Sequence, residues 1–189
     1  MEQRGPWRTL SRNQVYASPW IEVEHHEVIA PGGNAGTYGT VHFRNLAIGI
    51  VPLDEQLNTW IVGQYRYPIQ AYSWEIPEGG GDRSVPPLES AKRELREETG
   101  IIASSWTEIQ RMDLSNSASD EHAILYVAQG LTFFDPEPDA NEELQVEKLP
   151  FKELFLRVMN GEIKDSLTVA AVLKTELLLR AGALDPAQK

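Results

Sequence analysis

Residues 79–101 read GGGDRSVPPLESAKRELREETGI. The run moves from a glycine-rich loop to a helical pattern and stops at a glycine. Leu88, Ala91 and Leu95 fall at i, i+3 and i+7 and give the helix one apolar stripe. Pro86 and Pro87 suit its first turn, where a missing N–H costs little, and Gly100 suits the position just past its end. Glu94, Glu97 and Glu98 share another face, because residues three and four apart are neighbours on a helix. Two like charges at ~4 Å repel by roughly 1 kcal/mol in water and by roughly 4 kcal/mol at a surface-like dielectric. A face of this kind calls for a positive partner, and a hard, oxygen-seeking cation such as Mg²⁺ is the natural one. The competing reading is a solvated helix face laced by pairs such as Arg93 and Glu97.

Working outward, residues 20–29 alternate through Ile21 and Val23 and predict a strand. The run PGGNAGT at 31–37 predicts a turn, and a second strand passes through Tyr38, Val41 and Phe43. Together they form an expected N-terminal hairpin. Residues 47–53 and 59–67 predict two strands across a polar turn, and 73–76 a short extended piece stopped by Pro77. After the carboxylate helix, strands are expected near 107–114, 123–129 and 144–149, with an acidic loop at 132–141. Two helices, 151–160 and 166–181, close the chain. Val169, Val172, Leu173 and Leu177 supply the apolar face expected of the last one. Strands mixed with a few helices, without regular alternation, indicate an α+β sandwich. No linker separates a second domain. The expected division is 1–45 as N-terminal strands within one domain and 46–189 as its core.

Composition narrows the functional classes. The chain has 189 residues, 41% hydrophobic and 24% charged, which reads as an ordinary globular protein. A formal net charge of -11 argues against non-specific binding to nucleic acid or anionic membrane. An anionic small substrate remains compatible, provided metal ions bridge the like charges. There is no cysteine, so disulfides and thiolate metal sites are excluded. No apolar run reaches membrane-spanning length, and MEQRGPWRTLSRNQ lacks the apolar core of a secretory signal. The expectation is a cytoplasmic protein.

The segment quoted above resembles the Nudix box, G-x5-E-x7-R-E-U-x-E-E-x-G-U, where U is a bulky aliphatic residue. Gly79, Arg93, Glu94, Leu95, Glu97, Glu98, Gly100 and Ile101 fill eight of its nine specified positions. Val85 stands where the ninth would be a glutamate, which implies the loss of one outer metal contact. The lead-in IVGQYRYPIQAYSWEIPEGG, residues 61–80, is similar to the ADP-ribose and nucleoside-diphosphate-sugar pyrophosphatase branch. The resemblance implies a Nudix-type α/β/α sandwich with a mixed sheet. It implies Mg²⁺- or Mn²⁺-dependent hydrolysis of a pyrophosphate bond, giving a nucleoside monophosphate and a sugar phosphate. The implied metal ligands are Glu94 and Glu98, with Glu97 close enough to share a bridging ion or water, and the backbone carbonyl of Glu78. Arg93 is expected to orient Glu97 through a salt bridge.

The same resemblance extends to the substrate. It places Arg66 on the diphosphate, a role that suits a guanidinium. Glu75 either anchors the loop or touches the terminal ribose or sugar. Trp20 either clamps the base or is a core or dimer-interface tryptophan; Trp7 and Tyr38 are weaker choices. The general base is expected in the acidic loop, at Glu142 first and Glu143 second, with Glu137 and Asp139 nearby. Glu121 is a further metal-side or substrate contact. His25 and His26 are adjacent on a strand and point to opposite faces, so they share no site. The N-terminal strands are expected to build a homodimer. Two other functions stay open: a non-catalytic nucleotide-sensing module, and a hydrolase of nucleoside triphosphates or dinucleoside polyphosphates. Base and sugar preference and the number of metals are not legible.

Overall fold

In a computed structural model, residues 2–136 and 143–185 are described. The chain divides into two units, Met1–Leu46 with Asp113–His122, and Ala47–Met112 with Ala123–Lys189.

The first unit is built on a four-stranded antiparallel sheet in the order β1 (Glu2–Arg4), β2 (Trp7–Ala17), β3 (Ile21–Ile29), β4 (Ala35–Phe43). The expected hairpin is its β3–β4 half. β2 escapes a reading by alternation because its register shifts twice, between Thr9 and Ser11 and between Gln14 and Tyr16. Each bulge flips the period that alternation relies on. The turn between β3 and β4 is shorter than expected, closed by the amides of Ala30 and Gly33, and β4 begins at Ala35. The segment 113–122 pairs with β4, Val41 donating to the Ala118 carbonyl and accepting from the Asp120 amide. His25 is exposed beside Glu27, whereas His26 is buried against Glu24 and Thr40, as opposite faces of one strand require.

The second unit holds two sheets. One is four-stranded, in the order β8 (Glu78–Asp82), β5 (Asn45–Pro52), β10 (His122–Phe133), β9 (Ile101–Asp113). β5 and β10 run parallel, with Ala47 opposite Ala123 and Pro52 opposite Ala128. The other is three-stranded and antiparallel, in the order β11 (Gln145–Pro150), β6 (Asn58–Arg66), β7 (Ala71–Glu75). β5 and β10 read as unbroken apolar runs because they are covered on both faces. Ile48, Ile50, Val51, Leu125 and Val127 are fully buried there. Each such side chain contributes roughly 1.5–3 kcal/mol of burial.

Three helices complete this unit. α1 (Pro87–Thr99) packs on β8 and β6; α2 (Phe151–Met159) packs on β11, β6 and α3 (Ser166–Arg180). The stripe read for α1 holds, with Ala91 and Leu95 fully buried. Gly100 ends α1 at φ +70°, and a Cβ there would run into the Phe134 carbonyl. Only glycine meets both demands without strain. The face α3 buries is Leu167, Thr168, Ala171, Val172 and Thr175, so Leu177, expected on the apolar side, is exposed. Small and hydroxyl side chains let α3 sit close, and apolar periodicity alone does not see hydroxyl residues as core. No helix among the described residues is long and apolar enough to cross a membrane.

Candidate active site

The glycine-rich run expected as a loop is an edge strand, β8, and it faces the acidic side of α1. Gly79 is required by contact. A Cβ there would fall inside the Glu94 carboxylate. Glu94 and Glu98 are buried, at 8% and 4% exposure, while Glu97, on the same helix face, is half-buried. Glu98 Oε2 accepts the backbone N–H of Glu78 at 3.0 Å. Two of the three glutamates that the box spacing singles out are thus brought to the 78–79 backbone.

Arg93 holds this arrangement from the solvent side. Nη1 donates to Glu97 Oε2 at 2.6 Å, as expected, and Nη2 donates to Glu94 Oε1 at 2.5 Å and to the Gly80 carbonyl at 2.9 Å. One guanidinium therefore spans two carboxylates and the strand. Partial burial works against its charge, but the adjacent Glu94 and Glu97 outweigh this and raise its pKa.

A second group lies at the end of β6 and β7. Arg66 and Glu75 share one face of the strand pair, where Val62 sits opposite Glu75 and Arg66 opposite Ala71. Arg66 Nε donates to both Glu75 oxygens, at 3.1 and 3.0 Å, and Nη2 donates to Glu75 Oε2 at 2.5 Å and to Glu78 Oε1 at 2.8 Å. Glu75 is buried, at 3% exposure. Burial of Arg66 opposes its charge, but the Glu75 bond and the neighbouring carboxylates prevail and hold its pKa above the usual arginine range. Glu78 is pushed well above the usual carboxylate range, first by burial and then by the charges of Asp165 and Glu75. Its Oε2 is buried without a hydrogen-bond partner among the described residues.

Asp165 and Thr168 join this group from α3, and sequence reasoning missed both. Asp165 caps the helix, its Oδ2 accepting from the Thr168 amide at 2.7 Å. Oxygens of Glu75, Glu78 and Asp165 lie within 4.8 Å of one another. Thr168 Oγ1 accepts the buried Ile76 amide at 2.9 Å. The signal was present as KDSLT, an acidic cap three residues before a hydroxyl residue, ahead of an apolar run. It announces a helix start, not what the cap faces.

Trp20 and Glu121 belong to the first unit. Trp20 is 68% exposed, and its backbone carbonyl accepts from the Arg44 amide. Glu121 is half-buried, and that burial raises its pKa. Glu143 is exposed. Glu142, with Glu137 and Asp139, lies outside the described residues.

The site as assembled is an all-oxygen donor set beside an arginine. Residues 43–169 match the family described as NUDIX domain, and residues 7–41 match the nucleoside diphosphate sugar hydrolase N-terminal domain. An ADP-ribose pyrophosphatase of Mycobacterium tuberculosis is 34% identical over 172 residues, covering 88% of this chain and 82% of its own. An ADP-ribose pyrophosphatase of Bacillus subtilis is 26% identical over 172 residues, covering 90% and 92%. Among solved structures, the fold is similar to that of an ADP compounds hydrolase, with a TM-score of 0.84 at 22% identity, covering 97% of this chain and 100% of that one.

Proposed function

The chain belongs to the NUDIX domain family, and from that premise we infer that it hydrolyses the pyrophosphate bond of ADP-ribose or a nucleoside diphosphate sugar. The products are a nucleoside monophosphate and a sugar phosphate. The observation that carries this reading is the convergence of buried Glu94 and Glu98 on the backbone at Glu78 and Gly79. The similarity of most of the chain to ADP-ribose pyrophosphatases supports the substrate class.

The donor set fits a divalent cation. Every group offered is oxygen, the choice of Mg²⁺ and Mn²⁺. The partnerless Glu78 Oε2 also marks an unmet demand for positive charge. We assign Mg²⁺, with Mn²⁺ as a substitute, to Glu94, Glu98, Glu97 and the Glu78 carbonyl. Such ions supply charge neutralisation of the diphosphate and an acidified water.

The chain's own residues do the rest in this proposal. Arg66 holds diphosphate oxygens through its guanidinium fork. Glu75 fixes the plane of that fork from below, being buried and doubly bonded to it. Arg93 keeps Glu94 and Glu97 from turning away. Glu142, or Glu143 beside it, takes the proton from the attacking water. Trp20 stacks on the base, and Glu121 contacts the substrate. The N-terminal strands pair two copies into a homodimer.

The deciding experiment is incubation with ADP-ribose and a panel of nucleotide sugars, with and without Mg²⁺, identifying products by mass. Metal-dependent release of a nucleoside monophosphate is expected. Recovery of every compound intact overturns the reading. Light scattering at twice the chain mass is expected for the homodimer, and a monomer mass removes that part.

A further inference from the structure

The Arg66 guanidinium has two edges that can each take a pair of oxygens, Nε–Nη2 and Nη1–Nη2. Glu75 occupies the first completely. The second hydrogen of Nη2 belongs to the other edge, and Glu78 Oε1 takes it at 2.8 Å. A diphosphate oxygen pair approaching Arg66 therefore finds one edge filled and the other half filled.

The two carboxylates are held very differently. Glu75 satisfies both oxygens on Arg66 and lies across the strand pair from it. Glu78 satisfies one oxygen there and buries the other with no partner among the described residues. Oxygens of Glu75 and Asp165 lie within 4.8 Å of its own. Three carboxylates thus crowd together, and two of them are bonded to one guanidinium. An unpartnered buried oxygen is costly, and removing the Glu78 side chain from this place relieves that cost.

We propose that Glu78 sets the affinity of this site: its carboxylate holds the Nη1–Nη2 edge of Arg66 and must be displaced before an anion binds there. This rests on the reading of Arg66 as the diphosphate contact. Glu78 then has two separable parts in the site. Its backbone carbonyl is a ligand in the proposed metal site, and its side chain competes with the substrate. The competition lowers affinity for every anion that uses Arg66.

The test is calorimetry with inorganic pyrophosphate on protein stripped of metal by chelator, so that no turnover is required. Glu78→Ala is expected to tighten binding about tenfold, the effect of freeing one donor of the Arg66 fork for the anion. Arg66→Gln placed in the Glu78→Ala background is expected to abolish that gain. Unchanged or weaker binding in Glu78→Ala overturns the proposal, and so does a gain that persists without Arg66. Glu78→Gln is the second variant should Glu78→Ala not fold. Failure of both to fold also overturns it, because a contact that holds the chain together does not yield to a ligand. Should the substrate panel show no hydrolysis while Glu78→Ala tightens pyrophosphate binding, the hydrolase reading falls and the competition stands. Hydrolysis with no effect of Glu78→Ala gives the reverse.

Discussion

The backbone amide of Glu78 donates to the Glu98 carboxylate across 3.0 Å, joining β8 to the last turn of α1. Each partner is fixed independently. Glu78 sits one residue before the glycine against which Glu94 lies, and Glu98 is buried on the face of α1 that meets β8. The bond sets the register between strand and helix. Metal-binding oxygens have to be placed to within a fraction of an ångström to act together. A strand locked to a helix by charge-assisted hydrogen bonds gives that rigidity.

Glu98→Gln keeps size and the acceptor for the Glu78 amide but removes the charge. Turnover in Mg²⁺ is expected to fall by at least about 100-fold, with little change in melting temperature. Kinetics and thermal denaturation on the same preparation measure both. Near-normal turnover takes Glu98 out of the ligand set.

Gly79→Ala places a methyl group where the Glu94 carboxylate lies. Glu94 has to move, and Arg93 with it. Turnover is expected to drop by about 10- to 100-fold, because a shift near 1 Å at the reacting centre costs that much. Weakened Mn²⁺ binding, read by titration, is the companion outcome. A variant with normal Mn²⁺ affinity shows that Glu94 need not stay where it is.

Arg66→Lys preserves charge and loses the fork. KM is expected to rise about tenfold or more, with a smaller change in kcat. Stability is expected to fall by ~1–2 kcal/mol, since buried Glu75 loses its two-point partner, discounted because Arg66 is about one-third exposed. Urea denaturation gives the second number. An unchanged KM removes Arg66 from the diphosphate.

Thr168→Val conserves shape and deletes the acceptor of the Ile76 amide. A buried N–H left without a partner costs ~1–3 kcal/mol. Chemical denaturation is expected to show that loss. Equal stability means that the amide finds another acceptor, and that α3 does not pin the chain between Glu75 and Glu78.

Glu121 has its pKa raised by burial. The folded chain therefore holds that proton more tightly than the unfolded chain. Stability from this group is fully present below the ordinary glutamate range and is lost as pH rises through the raised folded value. Glu121→Gln is expected to match the wild type in acid and to melt higher at neutral pH. A constant gap across the pH range shows that ionisation of Glu121 is not the cause.

α1 was legible because its information is local. The stripe of Ala91 and Leu95, the prolines at its start and Gly100 at its end all act within a few turns. β5 and β10 were legible because an unbroken apolar run of strand length has few other uses. β2 was not, because two bulges break its alternation. The glycine run at 79–81 looked like a loop for a related reason. Its glycines serve close approach of Glu94 and Ile48 to an edge strand, not a turn.

The amino-acid order alone determined that three carboxylates would crowd one helix face beside a glycine run, since helical spacing turns i, i+3 and i+4 into neighbours. It also determined the family, through eight matched positions. Tertiary structure alone decided what those groups and Arg66 touch. Thr168 reaches Ile76 across 92 positions, and Asp165 meets Glu75 and Glu78 only because α3 starts at that place. Pairing of this kind depends on how helices pack on sheets. Packing is the sum of many weak, distant contacts that no local pattern encodes.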